Sequence, residues 1–192
     1  MVVLSGAARR RRARDERTAF LRDLAAARGW SERPALPSVV TRHPVPRLAG
    51  PDPAAADLVL GGAWRGREVE LASVLLRPAG RRAAGGRRPD DVLLLAALEL
   101  PPVAGRLVAV VAAGDLDVSG STASLAARCR PAVLQAVRDG VLAEGDGLAL
   151  GEGSLALAGA WRPAIAREDA VDAWFALLVA VAEQLTAPTA DH

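Results

Sequence analysis

The run Asp115-Leu116-Asp117-Val118-Ser119-Gly120 places oxygen-bearing side chains at alternate positions ahead of a glycine, the donor pattern of a calcium loop. Hard oxygen ligands of this kind suit calcium or magnesium, and a metal held by Asp115, Asp117 and Ser119 could support hydrolysis. A complete helix–loop–helix site needs a bidentate acid at the twelfth position of the loop, and Ala126 stands there. The residues before the run alternate as a strand, so the plainer reading is a strand end followed by a helix capped by Ser121.

An apolar strand, Leu107 to Ala112, followed by Asp-x-Asp also resembles the nucleophile motif of haloacid-dehalogenase-type phosphatases. That resemblance implies a downstream basic residue, usually Lys, and a parallel sheet. The chain has no Lys, and the residues after Asp117 read as hairpins. Cys129 lies between Arg128 and Arg130, whose charges favour a thiolate. Near the end of an Ala-rich helix it reads instead as a small buried hydrophobe, with only His43 or His192 to serve as its base. His43, between Arg42 and Pro44, reads as a surface loop histidine. Gly145, Gly147, Gly151 and Gly153 are turn residues, since no helix and no Lys follow them as a phosphate loop requires.

Missing side chains narrow the chemistry further. There is no Lys, Tyr or Asn, one Cys and two His, so Schiff bases, lysine–phosphate contacts and most nucleophile–base pairs are excluded. A GC-rich genome explains the composition, because Lys, Asn, Tyr and Ile have AT-rich codons and Ile165 is the single isoleucine. A single cysteine forms no internal disulfide, which fits a reducing cytoplasm. No catalytic set and no cofactor is assigned on these grounds.

Arginines carry the strongest functional signal. Residues 1–89 hold 18 Arg against 8 acids, and residues 90–192 hold 6 Arg against 14, so a net charge of +2 conceals a basic half and an acidic half. Arg9, Arg10, Arg11, Arg12, Arg14 and Arg17 form an arm suited to an anionic surface, and Arg81, Arg82, Arg87 and Arg88 form a second basic loop. An anionic membrane leaflet or an acidic protein partner is favoured over nucleic acid, because two Phe and four Trp leave few rings for base stacking.

The elements that must position these groups follow from periodicity. An amphipathic helix is expected from about Asp15 to Arg28, stopped by Gly29, and six prolines between Ser31 and Pro53 mark an extended connector. Strands are expected at Leu58 to Trp64, Val69 to Leu75, Val92 to Leu100 and Arg106 to Ala112 as an antiparallel meander. Then come a short strand at Leu116 to Val118, a pair of short helices at Thr122 to Cys129 and Pro131 to Asp139, and a hairpin of Val141 to Glu144 with Leu148 to Leu150, extended by Ser154 to Trp161. Val171, Trp174, Phe175, Leu178, Val181, Ala182 and Leu185 trace one face of a last helix, which Pro188 ends. Two similar strand ends, Gly62-Ala63-Trp64-Arg65 and Gly159-Ala160-Trp161-Arg162, offer an arginine to stack on each Trp.

The expected fold is α+β: an antiparallel sheet of about six or seven strands, with the N-terminal helix, the central short-helix pair and the long C-terminal helix packed mainly on one face. Residues 1–14 are expected as a flexible basic arm, 15–188 as one domain with the connector 31–56 inside it, and 189–192 as a tail. No apolar run reaches the ~20 residues of a membrane span.

The Arg cluster, the helix ending Ala26-Ala27-Arg28-Gly29-Trp30, the Pro-rich connector and the hairpin opening Gly62-Ala63-Trp64-Arg65-Gly66-Arg67 together resemble a group of uncharacterised proteins of GC-rich actinobacteria. That resemblance implies no activity. It implies a transmembrane helix just before the Arg cluster, where this chain has only Met1 to Ala8, so an upstream start is one expectation. The leading functional expectation is a cytoplasmic, non-catalytic binding or scaffold domain associated peripherally with a membrane or an acidic partner, with homo-oligomerisation open. The alternatives are a metal-dependent hydrolase or calcium-binding domain using Asp115 and Asp117, and a sequence-independent nucleic-acid binder.

Overall fold

The computed structural model describes residues 6–34, 43, 53–76, 92–101, 105–112, 115–121, 123–151, 153–162 and 164–187. Three helices, α1 (Gly6–Arg28), α2 (Ala123–Arg138) and α3 (Glu168–Thr186), pack against one antiparallel sheet. Its strands are β1 (Ser31–Arg33), β2 (Pro53–Trp64), β3 (Arg67–Leu76), β4 (Val92–Glu99), β5 (Leu107–Ala112), β6 (Asp115–Gly120), β7 (Gly147–Gly151) and β8 (Ser154–Ala160). They lie in the order β1-β2-β3-β4-β8-β7-β5-β6, eight strands where six or seven were expected.

Alternation decides which side chains meet the helices. Leu58, Leu60, Val69, Leu71, Leu94, Leu98, Leu155 and Leu157 form one core with Leu21 and Leu24 of α1, Val133 of α2 and Trp174, Phe175 and Leu178 of α3. Val59, Ala72, Val74, Leu93, Leu95, Ala97, Ala156 and Ala158 form a separate buried cluster on the opposite face. Apolar residues on both faces explain why β4 reads Val-Leu-Leu-Leu-Ala-Ala-Leu, a continuous run.

The meander holds for β2, β3 and β4 and then stops. β8 pairs with β4, and β5 lies beyond β7, three strand spacings away. That gap is about 14 Å, and the seven residues between β4 and β5 reach about 23 Å when extended, so the connection is long enough to cross to the far side of β7 instead of turning back. Residues 141–146 form turns where a strand was expected, and the hairpin is β7–β8. Asp146 causes this: its carboxylate accepts the Ala143 N–H at 2.9 Å and folds the segment back.

The expected central helix pair is one continuous helix containing Pro131. Pro131 is exposed, so its ring and the carbonyl left without a partner face solvent, while Leu125, Cys129, Val133 and Ala136 keep an unbroken buried stripe. Helix α1 starts at Gly6, not near Asp15, taking in residues assigned to the arm. The left-handed turn Arg65-Gly66 joins β2 to β3, with Arg65 at φ 49° and its guanidinium 4.5 Å from the Trp64 ring centre, the stacking expected there. Arg162 instead turns away from Trp161 to bind Asp146.

Candidate basic interface and buried charge clusters

Each long basic or acidic side chain that folding draws inward must bring its partner, and three such groups organise this domain. Arg17 donates from Nη2 to Asp57 Oδ2 at 3.0 Å, both side chains being almost wholly buried, and Arg14 lies 3.5 Å from the same oxygen. Asp57 occupies a bulge between Ala56 and Leu58, where β2 shifts register against β3. Arg17 is thus a fastening between α1 and the sheet, and burial removes it from the anion-binding set that its sequence position suggested.

Beyond that fastening the helix changes character. Trp30 donates its indole N–H to Ala63 O at 3.0 Å, so α1 runs parallel to β2, with its N-terminal half directed past Asp57 toward the start of the strand. Residues 11–16 are all exposed, and six consecutive positions exceed one helical turn, so no face of the helix is packed there. Arg11, Arg12 and Arg14 project from this segment, Arg12 pairing with Glu16 at 2.7 Å. Leu76 and Val92, which bound the segment carrying Arg81, Arg82, Arg87 and Arg88, stand at the same end of the sheet. Those four arginines lie outside the described residues, as do the side chains of Arg9 and Arg10.

His43 corrects a sequence expectation. It is buried, not a surface loop histidine, and its Nε2 lies 2.7 Å from Glu70 Oε2. Arg33 donates to Glu70 Oε1 at 2.7 Å and also bonds Glu68, crossing the face of Gly61, where a β-carbon would collide with its guanidinium. The hydrogen bond from Arg33 to Glu68 is the main reason the guanidinium pKa is raised, against the opposing effect of burial. His43 Nδ1 is buried without a hydrogen-bond partner. The legible signal was in β3 itself: Ala72 and Val74 share the Glu70 face, and an apolar neighbour on either side of a strand means both faces are covered.

Asp115, Asp117 and Ser119 lie on the outer face of β6, exposed, instead of converging in a loop. Asp115 Oδ1 accepts the N–H of Leu116 at 2.7 Å, and the Ser119 hydroxyl donates to Val108 O at 3.5 Å. Among the described residues no group of three or more His, Cys, Asp or Glu side chains gathers as a metal site. Cys129 is fully buried on α2, and desolvation pushes its thiol pKa up, outweighing the Arg128 charge that lowers it. Alkylation at pH 8 is therefore expected to be negligible for the folded protein and complete in denaturant; fast labelling of the native thiol would place it at the surface. In the first turn of α3, Asp169 sits below the usual carboxylate range chiefly because Arg167 bonds it at 2.9 and 2.5 Å.

These features define an α+β domain: an eight-stranded antiparallel sheet, three helices on one face and a projecting basic helix end. The crystal structure of the mycobacterial trehalose monomycolate transport factor A, TtfA, has the same fold, with a TM-score of 0.57 over 85% of this chain and 91% of that one, at 15% sequence identity. No protein-family model matches the sequence, and no curated protein sequence matches it. Among the described residues no helix is long and apolar enough to cross a membrane.

Proposed function

We propose that this protein is a non-catalytic binding or scaffold domain that meets an anionic surface, a membrane leaflet of acidic lipid, through the N-terminal half of α1. The observation that carries the reading is the all-round exposure of residues 11–16, with Arg11 and Arg12 beyond the Arg17–Asp57 fastening and the largely exposed Arg14 at its margin, 3.5 Å from Asp57. The likeness in fold to a trehalose monomycolate transport factor supports an accessory role over a catalytic one. Gly6 to Asp15 has no apolar stripe, so the contact is electrostatic and reversible by salt, not an inserted amphipathic helix. Trp30, Trp64 and Trp174 are buried, which leaves them unable to stack on bases and favours lipid over single-stranded nucleic acid.

Each arginine near an anionic leaflet contributes about 1 kcal/mol, so Arg11, Arg12 and Arg14 together contribute about 3 kcal/mol, a factor of roughly 100 in partitioning. Co-sedimentation with vesicles containing phosphatidylserine tests this. Replacing the three arginines with Gln is expected to weaken the binding that the full chain shows at low salt by roughly 100-fold, and changing Arg81, Arg82, Arg87 and Arg88 to Gln as well is expected to weaken it further. Equal binding by wild type and the triple variant, or equal binding to neutral vesicles, removes the proposal.

A further inference from the structure

The two edges of the sheet are unlike. β1 closes one with three residues, and Arg33 there is engaged with Glu68 and Glu70, whereas β6 closes the other with six. Short, occupied edges do not accept another strand; a six-residue edge can.

Register shows which backbone groups of β6 are open. Val111 of β5 donates its N–H to Asp146 O at 3.0 Å and so faces β7. Its partner Leu116 therefore belongs to a pair without mutual hydrogen bonds, and Leu116, Val118 and Gly120 turn their N–H and C=O groups away from β5. Asp115 occupies the first outward N–H, that of Leu116, with its own carboxylate. Among the described residues no side chain occupies the outward groups of Val118 and Gly120 in this way.

We infer that the β6 edge from Leu116 to Gly120 is a docking site for an extended segment of a partner protein that carries arginine or lysine at alternate positions. Charge selects the occupant. Asp117, with Asp115 at the end of the edge, projects from one face of β6, and an added strand would set its own alternate side chains beside them. Opposite charges across neighbouring strands stabilise pairing and like charges oppose it. Pairing with a second copy of this edge would bring the aspartates of both chains onto one face, so the same residues that welcome a basic strand reject self-association. On the packed side, Leu116 is buried and Val118 half-buried against α2, which holds the strand flat as a template.

Fluorescence anisotropy with the full chain and labelled peptides of about eight residues tests the inference. A peptide alternating Arg and Val is expected to bind, and one alternating Glu and Val is not. A peptide of the same composition with its arginines in a block should bind at least tenfold more weakly, because attraction without alternation cannot place both charge and backbone. Val118→Pro removes an outward N–H at an edge position where proline is tolerated, and should cost at least tenfold in affinity. The variant Asp115→Arg with Asp117→Arg should reverse the preference toward the Glu-Val peptide, an outcome that needs no loss of fold to be read. Equal binding of alternating and block peptides, unchanged affinity in Val118→Pro, or a dimer of the wild type that Val118→Pro dissociates would each overturn it.

Discussion

Replacing Arg162 with Met is expected to destabilise the domain by about 3–5 kcal/mol, because it leaves a fully buried carboxylate without its cation. Asp146 has no exposed surface, and Arg162 grips it at 2.7 and 2.5 Å from two nitrogens. The carboxylate rests on Gly159 beneath Trp174, at a point where any β-carbon would overlap Asp146 Oδ1. A carboxylate without exposed surface must be paired or lose its charge. The reciprocal change is milder. Asp146→Asn leaves Arg162 partly exposed and able to turn to solvent, and about 2 kcal/mol is expected from the lost charge-assisted bonds. Urea denaturation followed by tryptophan fluorescence separates these values. The double variant should be much less destabilised than the sum, since neither charge is then left alone. A cost below about 1 kcal/mol for Arg162→Met would show that Asp146 is not sealed from solvent.

Asp57→Ala is expected to cost about 3 kcal/mol by the same logic applied to the opposite charge, since Arg17 loses the acid that holds its buried guanidinium. Its consequence is local as well as global. Leu21, Leu24 and Ala25 still bind α1 to the core, but everything N-terminal of Arg17 relies on that one fastening. Hydrogen exchange should therefore accelerate first in the N-terminal half of α1, ahead of residues 18–28 and of the sheet. Pairing Arg17→Met with Asp57→Leu should restore much of the stability, apolar replacement of a buried pair being close to neutral. Uniform exchange along α1 in Asp57→Ala would mean that the pair does not anchor the helix. Under the proposed function the same variant should bind anionic vesicles more weakly, because a frayed basic segment presents its arginines to a surface less effectively.

How far the sequence was legible follows from which forces act locally. The C-terminal helix was plain because Val171, Trp174, Phe175, Leu178, Val181 and Leu185 repeat at helical spacing, and all are buried. Pro131 misled, since proline's local penalty suggests a break, and only packing of Leu125, Cys129, Val133 and Ala136 against the core shows that one helix is cheaper than two. β8 was located as a strand end, yet nothing local indicated that it would lie between β4 and β7; pairing across more than fifty residues is a tertiary choice. His43 was the largest misreading. A histidine between an arginine and a proline in a Pro-rich connector reads as exposed by local rule, and its burial depends on Glu70, 27 residues away.

By itself the amino-acid sequence determined the α+β class, the helix-facing core stripe, the weakness of every catalytic motif and the separation of basic from acidic halves. Each of these depends on composition or on periods of two and 3.6 residues, which act within a few residues of chain. Tertiary structure alone decided that Arg17 is a buried fastening while Arg11, Arg12 and Arg14 stay exposed, that His43 and Arg33 converge on Glu70, and that Asp115 and Asp117 line an edge strand instead of converging in a loop. The reason is that burial and pairing of charge are set by which distant partner arrives, and in a medium where an unpaired charge costs several kcal/mol the partner matters more than the residue.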